Sequence, residues 1–283
     1  MSAARAPAAA QLLGDTPTRD YAHKLRLFNA FAESELRQAL GTLELAPGMR
    51  VLDAGCGVGC ALEWIWDTVK PNGVVFGLDL AAAHVRIARE QAPPHTCVVQ
   101  ADLMRAPLQP GSFDVVWSVN TLNHLRDPAT GLRSLMRLLQ AGGRVALGQS
   151  SLLPDMYFAW DARLERVVGE AVRRYYRERY LLRDEDLTAV RALLGTLRRA
   201  GLRDVGVRTF NIERIAPVSL ADEAYLLEAI FLGTWGERLR PYLPVQDLEA
   251  LADLCDPRSR GFALRRSDFH FLQTFTLAVG EVP

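Results

Sequence analysis

The stretch VLDAGCGVG places an acid, Asp53, directly before the glycines Gly55, Gly57 and Gly59. A strand that ends at Asp53, followed by a tight turn and a helix, would present unpaired backbone N–H groups at the carboxyl edge of a sheet, where open α/β sheets bind ligands. Dinucleotides commonly use such turns, but their GxGxxG fingerprint requires a glycine where this chain has Cys60. The turn by itself therefore leaves the ligand open.

The charge of Asp53 narrows the choice of ligand. Two like unit charges about 4 Å apart repel by about 4 kcal/mol at an effective dielectric constant of about 20, which disfavours a pyrophosphate beside this carboxylate. A zwitterionic amino-acid group suits the turn better, because its carboxylate can meet the helix N-terminus while its ammonium is drawn to the aspartate. The sequence therefore favours a nucleoside that carries an amino-acid end.

Two further acids follow the next predicted strands. Asp79 ends the segment VVFGLDL and Asp102 follows the third strand in VVQADL. The alternative interpretation is local: the glycines merely permit a sharp turn, the two acids cap turns, and Cys56 is a small residue that packs tightly. The joint occurrence of these residues at successive strand ends favours a binding site.

These motifs resemble those of the class I S-adenosylmethionine-dependent methyltransferases. The resemblance covers residues 50 to about 150 and includes the segments FDVVWSV and LLQAGGRVAL. It implies S-adenosylmethionine as the cofactor, with Asp79 accepting hydrogen bonds from both ribose hydroxyls and Asp102 holding the adenine amino group. The cofactor-binding residues that it implies are Tyr21, Asp53, Gly55, Cys56, Gly57, Gly59, Asp79, Leu80, Asp102, Leu103 and Val119.

The segment RDYAHKLRLFNAFAESEL, which contains Tyr21, resembles the N-terminal helix that closes over the cofactor in many members of the family. The alternative is an ordinary amphipathic helix that packs against the edge of the sheet. Both interpretations predict a helix here.

A candidate base lies beyond the fourth predicted strand, in SVNTLNHLRDP. His124 could take a proton from a hydroxyl or amine acceptor, and Asn120 could orient the acceptor. The alternative for His124 is a residue that flanks a helix and bonds to backbone. The other histidines show no ligand spacing with the cysteines, so the sequence predicts no metal site.

The elements that must position these residues alternate along the chain. Five short apolar runs are typical of parallel strands covered on both faces, and helical patterns separate several of them. We therefore expect an α/β fold: a Rossmann-like, doubly wound, mostly parallel sheet of seven strands with an antiparallel last strand and helical insertions. Asp127 and Pro128 predict the start of the helix before the fifth strand.

Two helical segments interrupt the second half of the chain. We predict a flexible tail over residues 1–19 and a single domain over residues 20–283, with a cofactor-binding core at 20–150 and helical insertions at 151–186 and 214–266 that cover the acceptor. The first insertion interleaves aromatic residues with arginines. This pattern could bind RNA bases and phosphates, but it is more typical of an amphipathic helix whose aromatic stripe packs in the core while its arginines face solvent.

The composition argues against several classes of partner. Lysine plus arginine balance aspartate plus glutamate at 33 each, so no long-range field draws the chain to nucleic acid or an anionic membrane. The four cysteines form neither a CxxC pair nor a dense framework, and no membrane-spanning run occurs. We therefore expect a cytoplasmic protein with no nucleic-acid or membrane partner, and the oligomeric state, homo-oligomer or monomer, stays open.

The segment after the fourth strand also lacks the Asn/Asp-Pro-Pro-aromatic signature of methyltransferases that act on DNA bases or glutamine. The expected function is therefore methyl transfer from S-adenosylmethionine to an oxygen, nitrogen or carbon atom of a small organic metabolite, in specialised biosynthesis. The alternatives are other chemistry on the same fold, such as assisting a cyclisation, and a non-catalytic scaffold role.

Overall fold

A computed structural model describes residues 22–151, 160–180 and 189–283 of the chain. Its seven strands form one sheet in the order β3-β2-β1-β4-β5-β7-β6. The strands are β1 Arg50–Ala54, β2 Val74–Asp79, β3 Thr96–Gln100, β4 Phe113–Val119, β5 Leu139–Ser150, β6 Arg203–Ile215 and β7 His270–Glu281. Strands β1 to β5 pair in parallel, whereas β7 lies antiparallel between β5 and β6. The fold class predicted from the sequence, including the antiparallel last strand, is confirmed.

Nine α-helices lie in these described ranges: α1 Ala22–Phe31, α2 Glu33–Gly41, α3 Cys60–Val69, α4 Ala82–Gln91, α5 Pro128–Met136, α6 Ala162–Tyr180, α7 Ala189–Arg199, α8 Leu220–Tyr225 and α9 Val245–Cys255. The start of α5 agrees with the sequence prediction, because the Asp127 side chain accepts a hydrogen bond from Thr130 N and Pro128 is the first helical residue. None of the nine helices is long and apolar enough to cross a membrane.

The core has two parts, one on each face of the sheet. Successive residues of β4 alternate between them: Val115 and Trp117 belong to one buried cluster and Val116 to the other. The first cluster includes residues of α1 to α4 and of the chain between β6 and β7, and the second includes residues of α5 and α7. Burial on both faces explains why these strands read as continuous apolar runs.

The segment between β6 and β7 is a series of short helices. After α8 come a π-helix, Leu226–Leu232, a 3-10 helix, Glu237–Tyr242, and then α9. Gly233 and Gly236 follow the π-helix, and Pro241 lies inside the 3-10 turn, where it cannot donate a backbone hydrogen bond.

Some predictions from the sequence fall outside the described residues. These include the tail over residues 1–19, Tyr21, and the aromatic residues Tyr157 and Phe158 of the first insertion. The single domain and the role of the insertions as a cover for the acceptor stay predictions.

Candidate functional site

The glycine turn after β1 adopts a conformation that favours glycine. Gly55, Gly57 and Gly59 have φ angles of 83°, 54° and 89°, in the left-handed region that other residues rarely adopt. A Cβ on Gly55 would lie 2.1 Å from Thr121 Oγ1, and one on Gly57 would lie 2.9 Å from Leu25 Cδ1. The turn is therefore packed closely between the loop after β4 and helix α1.

Three carboxyl groups lie at neighbouring strand ends. Asp53 is the penultimate residue of β1, before Ala54, and only 3% of its surface is exposed. Burial, and then the nearby Asp79, raise its pKa to about 8. Asp79 ends β2, and its Oδ2 and Oδ1 accept hydrogen bonds from Gly57 N at 2.9 Å and Ala81 N at 2.8 Å. The site therefore combines a buried carboxyl that is largely protonated at neutral pH with a carboxylate fixed by backbone donors.

Asp102 follows β3, and only one of its oxygens is bonded to another of the described residues. Its Oδ1 accepts a hydrogen bond from Met104 N at 2.9 Å, which caps a short 3-10 turn. Its Oδ2 is buried and has no hydrogen-bond partner among the described residues. An unpaired buried acceptor is costly, so this oxygen is suited to a ligand that brings an N–H or O–H donor.

These residues surround one cavity of about 280 Å³, near the lower end of the range typical of ligand pockets. All but two of the residues predicted as site residues line it: Asp53, Gly55, Cys56, Gly57, Asp79, Leu80, Asp102, Leu103, Val119, Asn120 and His124. The two exceptions are Gly59, which is the N-cap of α3, and Tyr21, which lies outside the described residues. The sequence therefore identified residues that the fold brings together, although their individual roles stay predictions.

Asn120 connects two strands at the edge of the cavity. It has a φ of 50°; its Oδ1 accepts a hydrogen bond from Ser150 N at 2.8 Å, and its Nδ2 donates to Ser150 Oγ at 3.2 Å. Both ends of the amide are thus engaged with the end of β5. This arrangement fixes the loop after β4, and any contact of Asn120 with an acceptor would be additional.

His124 ends a short 3-10 turn, Leu122–His124, in the loop after β4. Burial lowers the pKa of its imidazole, and the nearby carboxylate of Asp79 opposes this effect only in part. The ring is therefore neutral at pH 7 and can accept a proton. Its position on the cavity wall is compatible with the predicted base role.

Sequence reasoning missed several residues that line the cavity. Helix α1 contributes Leu25, Phe28 and Asn29, whose helical spacing could have indicated a shared face. Strand β4 contributes Trp117, and α4 contributes His84, which belongs to none of the motifs of the sequence.

Helix α1 is held over the cavity by Arg214 near the end of β6 and by helix α8. Arg214 donates to Phe31 O, to Glu35 Oε1 at 2.9 Å and to Asp222 Oδ1 at 2.7 Å. Phe31 also stacks on Tyr225 with ring centroids 4.3 Å apart. The insertion between β6 and β7 therefore acts on the cavity through α1, since none of the described residues of either insertion lines the cavity itself.

The aromatic residues of the insertions pack on one another where the structure describes them. Trp160 stacks on Trp235 at 5.1 Å, and Tyr175 meets Tyr242 edge to face at 6.2 Å. Arg174 lies 5.4 Å over the Tyr242 ring. This packing agrees with the core-stripe interpretation of the first insertion.

The residues present fit S-adenosylmethionine. The cavity contains three acids, whereas the ligand carries a positive sulfonium and an ammonium beside a single carboxylate, so its net charge complements the site. The unpaired oxygen of Asp102 provides an acceptor for an amino group. Within the described ranges, no group of three metal-ligating side chains comes together.

Comparisons with known proteins agree with this geometry. The sequence model described as "Methyltransferase domain" matches residues 52–147. The chain is 35% identical over 139 residues to 27-O-demethylrifamycin SV methyltransferase of Amycolatopsis mediterranei, which covers 47% of this chain and 50% of that protein. It is 31% identical over 168 residues to demethylmenaquinone methyltransferase of Lactococcus lactis, which covers 54% of this chain and 66% of that protein.

Solved structures show the same fold. A SAM-dependent methyltransferase of Aquifex aeolicus superposes with a TM-score of 0.50 at 16% identity, over 92% of this chain and 98% of that one. The YcgJ protein of Bacillus subtilis superposes with a TM-score of 0.53 at 15% identity, over 87% and 98%. Among the curated relatives, the match spans only 34%, 50% and 42% of the length of the first three.

Proposed function

Because this chain belongs to the class I S-adenosylmethionine-dependent methyltransferase family, we propose that it transfers the methyl group of S-adenosylmethionine to an oxygen, nitrogen or carbon atom of a small organic metabolite. The observation that carries the proposal is the convergence of Asp53, Asp79 and Asp102 on one cavity beside a glycine turn. These carboxyl groups suit a cationic nucleoside with an amino-acid end, because an ammonium favours the charged form of Asp53, whereas a pyrophosphate beside it would disfavour that form.

Each of the three acids has a distinct task in this proposal. Asp53 pairs with the ligand ammonium, Asp79 accepts from the ribose, and the unpaired Oδ2 of Asp102 accepts from the adenine amino group. S-adenosylmethionine, when bound, supplies an electrophilic methyl group on a sulfonium whose leaving group is a neutral thioether. The chain must therefore mainly align the acceptor and exclude water.

His124 is the proposed base. Its pKa lies below the usual value of 6.5, so a ring nitrogen can take the proton that a hydroxyl or amine acceptor loses as it is methylated. Asn120, held by Ser150, keeps the loop that carries His124 in place. A carbon or a strongly acidic acceptor would need this base less.

Two observations support the proposal that the acceptor is a small molecule. Two of the curated relatives are named after the acceptors 27-O-demethylrifamycin SV and demethylmenaquinone. The lining of the cavity that contains His124 also includes the apolar residues Leu125, Trp117 and Val119. A role in specialised biosynthesis and a cytoplasmic location are part of the proposal, the latter supported by four free cysteines.

The test is turnover with S-adenosylmethionine and a panel of phenols, quinols, amines and hydroxylated macrocycles, with mass spectrometry of both products. The proposal predicts S-adenosylhomocysteine together with one acceptor that gains a methyl group. Wild-type protein that binds the cofactor but yields neither S-adenosylhomocysteine nor a methylated acceptor would favour cyclisation chemistry or a scaffold role. Protein that binds neither form of the cofactor would contradict the proposal itself.

A further inference from the structure

Strand β6 forms one edge of the sheet and, among the described strands, pairs with β7 alone. It is 13 residues long, no proline interrupts it, and its register with β7 shifts only near its start, between Arg203 and Gly206. The opposite edge strand, β3, has only five residues. Proteins usually keep an edge strand short or interrupt it, because its outward N–H and C=O groups bind other strands. A long, regular edge strand therefore points to a partner.

The side chains on one face of β6 form a symmetric pattern. Successive side chains of a strand point to opposite faces of the sheet, and the residues of one face are all exposed: Val207, Thr209, Asn211, Glu213 and Ile215. The two apolar residues at the ends of this row, Val207 and Ile215, are 47% and 63% exposed. Because polar residues lie between two apolar ends, the row is complementary to its own reverse.

An identical strand can pair with this edge about a two-fold axis. In an antiparallel pair, directly opposite residues lie on the same face of the sheet, so the axis must pass through a residue. With the axis at Asn211, Val207 lies opposite Ile215 in both halves of the pair. An axis at the residue on either side would place Val207 opposite Glu213 or Pro217. The side chains therefore favour the pairing centred on Asn211.

The charges on the other face of β6 agree with this pairing. Arg208 is exposed and has no hydrogen bond or ion pair with any other residue that the structure describes. In the pairing centred on Asn211, it lies opposite Arg214 of the second copy. Arg214 is bonded to two carboxylates, those of Glu35 and Asp222, so this cluster is negative overall. Each copy thus offers a cation to an acidic cluster of the other copy.

We propose that the protein is a homodimer in which the β6 strands of two copies pair antiparallel about a two-fold axis at Asn211, so that one sheet runs through both copies. Arg208 of each copy then joins the cluster through which Arg214 of the other copy bonds to Phe31 O and Glu35 and holds α1 over the cavity. The inference goes beyond the proposed function and does not depend on it.

Cysteine cross-linking tests the position of the axis. Asn211→Cys places a thiol of each copy at the axis, where the Cα atoms lie within the range of about 4.4–6.8 Å that a disulfide needs. Thr209→Cys is the matched control, because it lies on the same exposed face but about 13 Å along the strand from its own copy. Both are made in a Cys97→Ser background, since Cys97 is exposed. After mild oxidation, non-reducing electrophoresis should show a linked dimer for Asn211→Cys and none for Thr209→Cys.

Analytical ultracentrifugation measures the association itself, and the unmodified chain should sediment as a dimer at micromolar concentration. Val207→Lys should raise the dimer dissociation constant at least about tenfold, because the symmetry repeats the lost contact with Ile215. The control Val245→Lys changes a valine that is 72% exposed at the start of α9 and should leave the constant unchanged. Arg208→Gln should also weaken the dimer, and its dissociation constant should depend less on salt than that of the wild type.

Other results would overturn the inference. A chain that stays monomeric at every concentration would exclude the dimer. A dimer that Val207→Lys leaves intact, or equal cross-linking of the two cysteine variants, would place the contact elsewhere on the surface. If Val207→Lys does not fold, the pair of cysteine variants decides. None of these measurements uses a ligand, so their failure would leave the proposed function intact, and a failure to bind the cofactor would leave the dimer intact.

Discussion

The carboxyl group of Asp53 should couple cofactor binding to the release of a proton. Burial, the larger cause, and the neighbouring Asp79 raise its pKa to about 8, so the free protein is mostly protonated at this position at neutral pH. An ammonium beside the carboxyl would stabilise the charged form and lower the pKa. Binding and deprotonation of Asp53 are therefore linked.

The size of the effect follows from the raised pKa. Below pH 8 the protein must lose the proton in order to bind, so affinity should rise by about tenfold, or about 1.4 kcal/mol, for each pH unit. The ligand's own amino group loses its proton at about pH 7.7–8.0, so the affinity stops rising at that pH. Between about pH 6 and pH 7.5 the dissociation constant should fall by about thirtyfold.

The assay is calorimetric titration with S-adenosylhomocysteine in buffers of different ionisation enthalpy, which counts the protons released. Wild-type protein should release close to one proton at about pH 6.5, and Asp53→Asn, which cannot ionise, should release none and show a flat profile over the same range. Equal proton release by the two proteins, or a flat profile for the wild type, would refute the assignment of Asp53.

Three further predictions test other parts of the site. Asp102→Asn keeps an acceptor oxygen for Met104 N but replaces a charged acceptor by an amide. The variant should bind S-adenosylhomocysteine at least about tenfold more weakly, and it should no longer prefer adenine to hypoxanthine as the base of the ligand. Titration with S-adenosylhomocysteine and with its hypoxanthine analogue checks both results. His124→Ala should lower kcat by about 10²- to 10⁴-fold and leave the cofactor affinity unchanged. Because burial lowers the His124 pKa, the kcat of the wild-type protein should decline only as the pH falls below 6.5. A His124→Ala variant with the kcat of the wild type would exclude the base role. Arg214→Met leaves Glu35 and Asp222, whose side chains are 12% and 13% exposed, without their cation. Urea unfolding should therefore show that the free energy of unfolding falls by about 3 kcal/mol, and the cofactor should bind more weakly because α1 is less well held. The control Arg258→Met removes a cation that is 90% exposed and should leave both the stability and the cofactor affinity unchanged.

The sequence predicted those parts of the fold that local patterns determine. The helical pattern expected between the first two apolar runs is observed as α3, Cys60–Val69, because apolar periodicity and a glycine turn define both its face and its start. The strand ends that carry Asp53, Asp79 and Asp102 were predicted for a similar reason: parallel strands place their carboxyl ends at one edge of the sheet.

Other features depend on contacts between distant segments and have no local signal. The partners of Arg214 include Glu35, which lies 179 positions away in the chain. The contact of His84 with Asp79 requires α4 to pack against the end of β2, and the left-handed conformation of Asn120 at φ 50° follows from its bonds to Ser150. Tertiary packing, not residue pattern, determines these positions.

The most direct test of the central claim is a calorimetric comparison of ligands on the unmodified chain. The account predicts saturable one-site binding of both S-adenosylmethionine and S-adenosylhomocysteine, and no heat from NADH or a flavin nucleotide. Saturation by a nicotinamide or flavin compound, with no heat from either sulfur nucleoside, would contradict it.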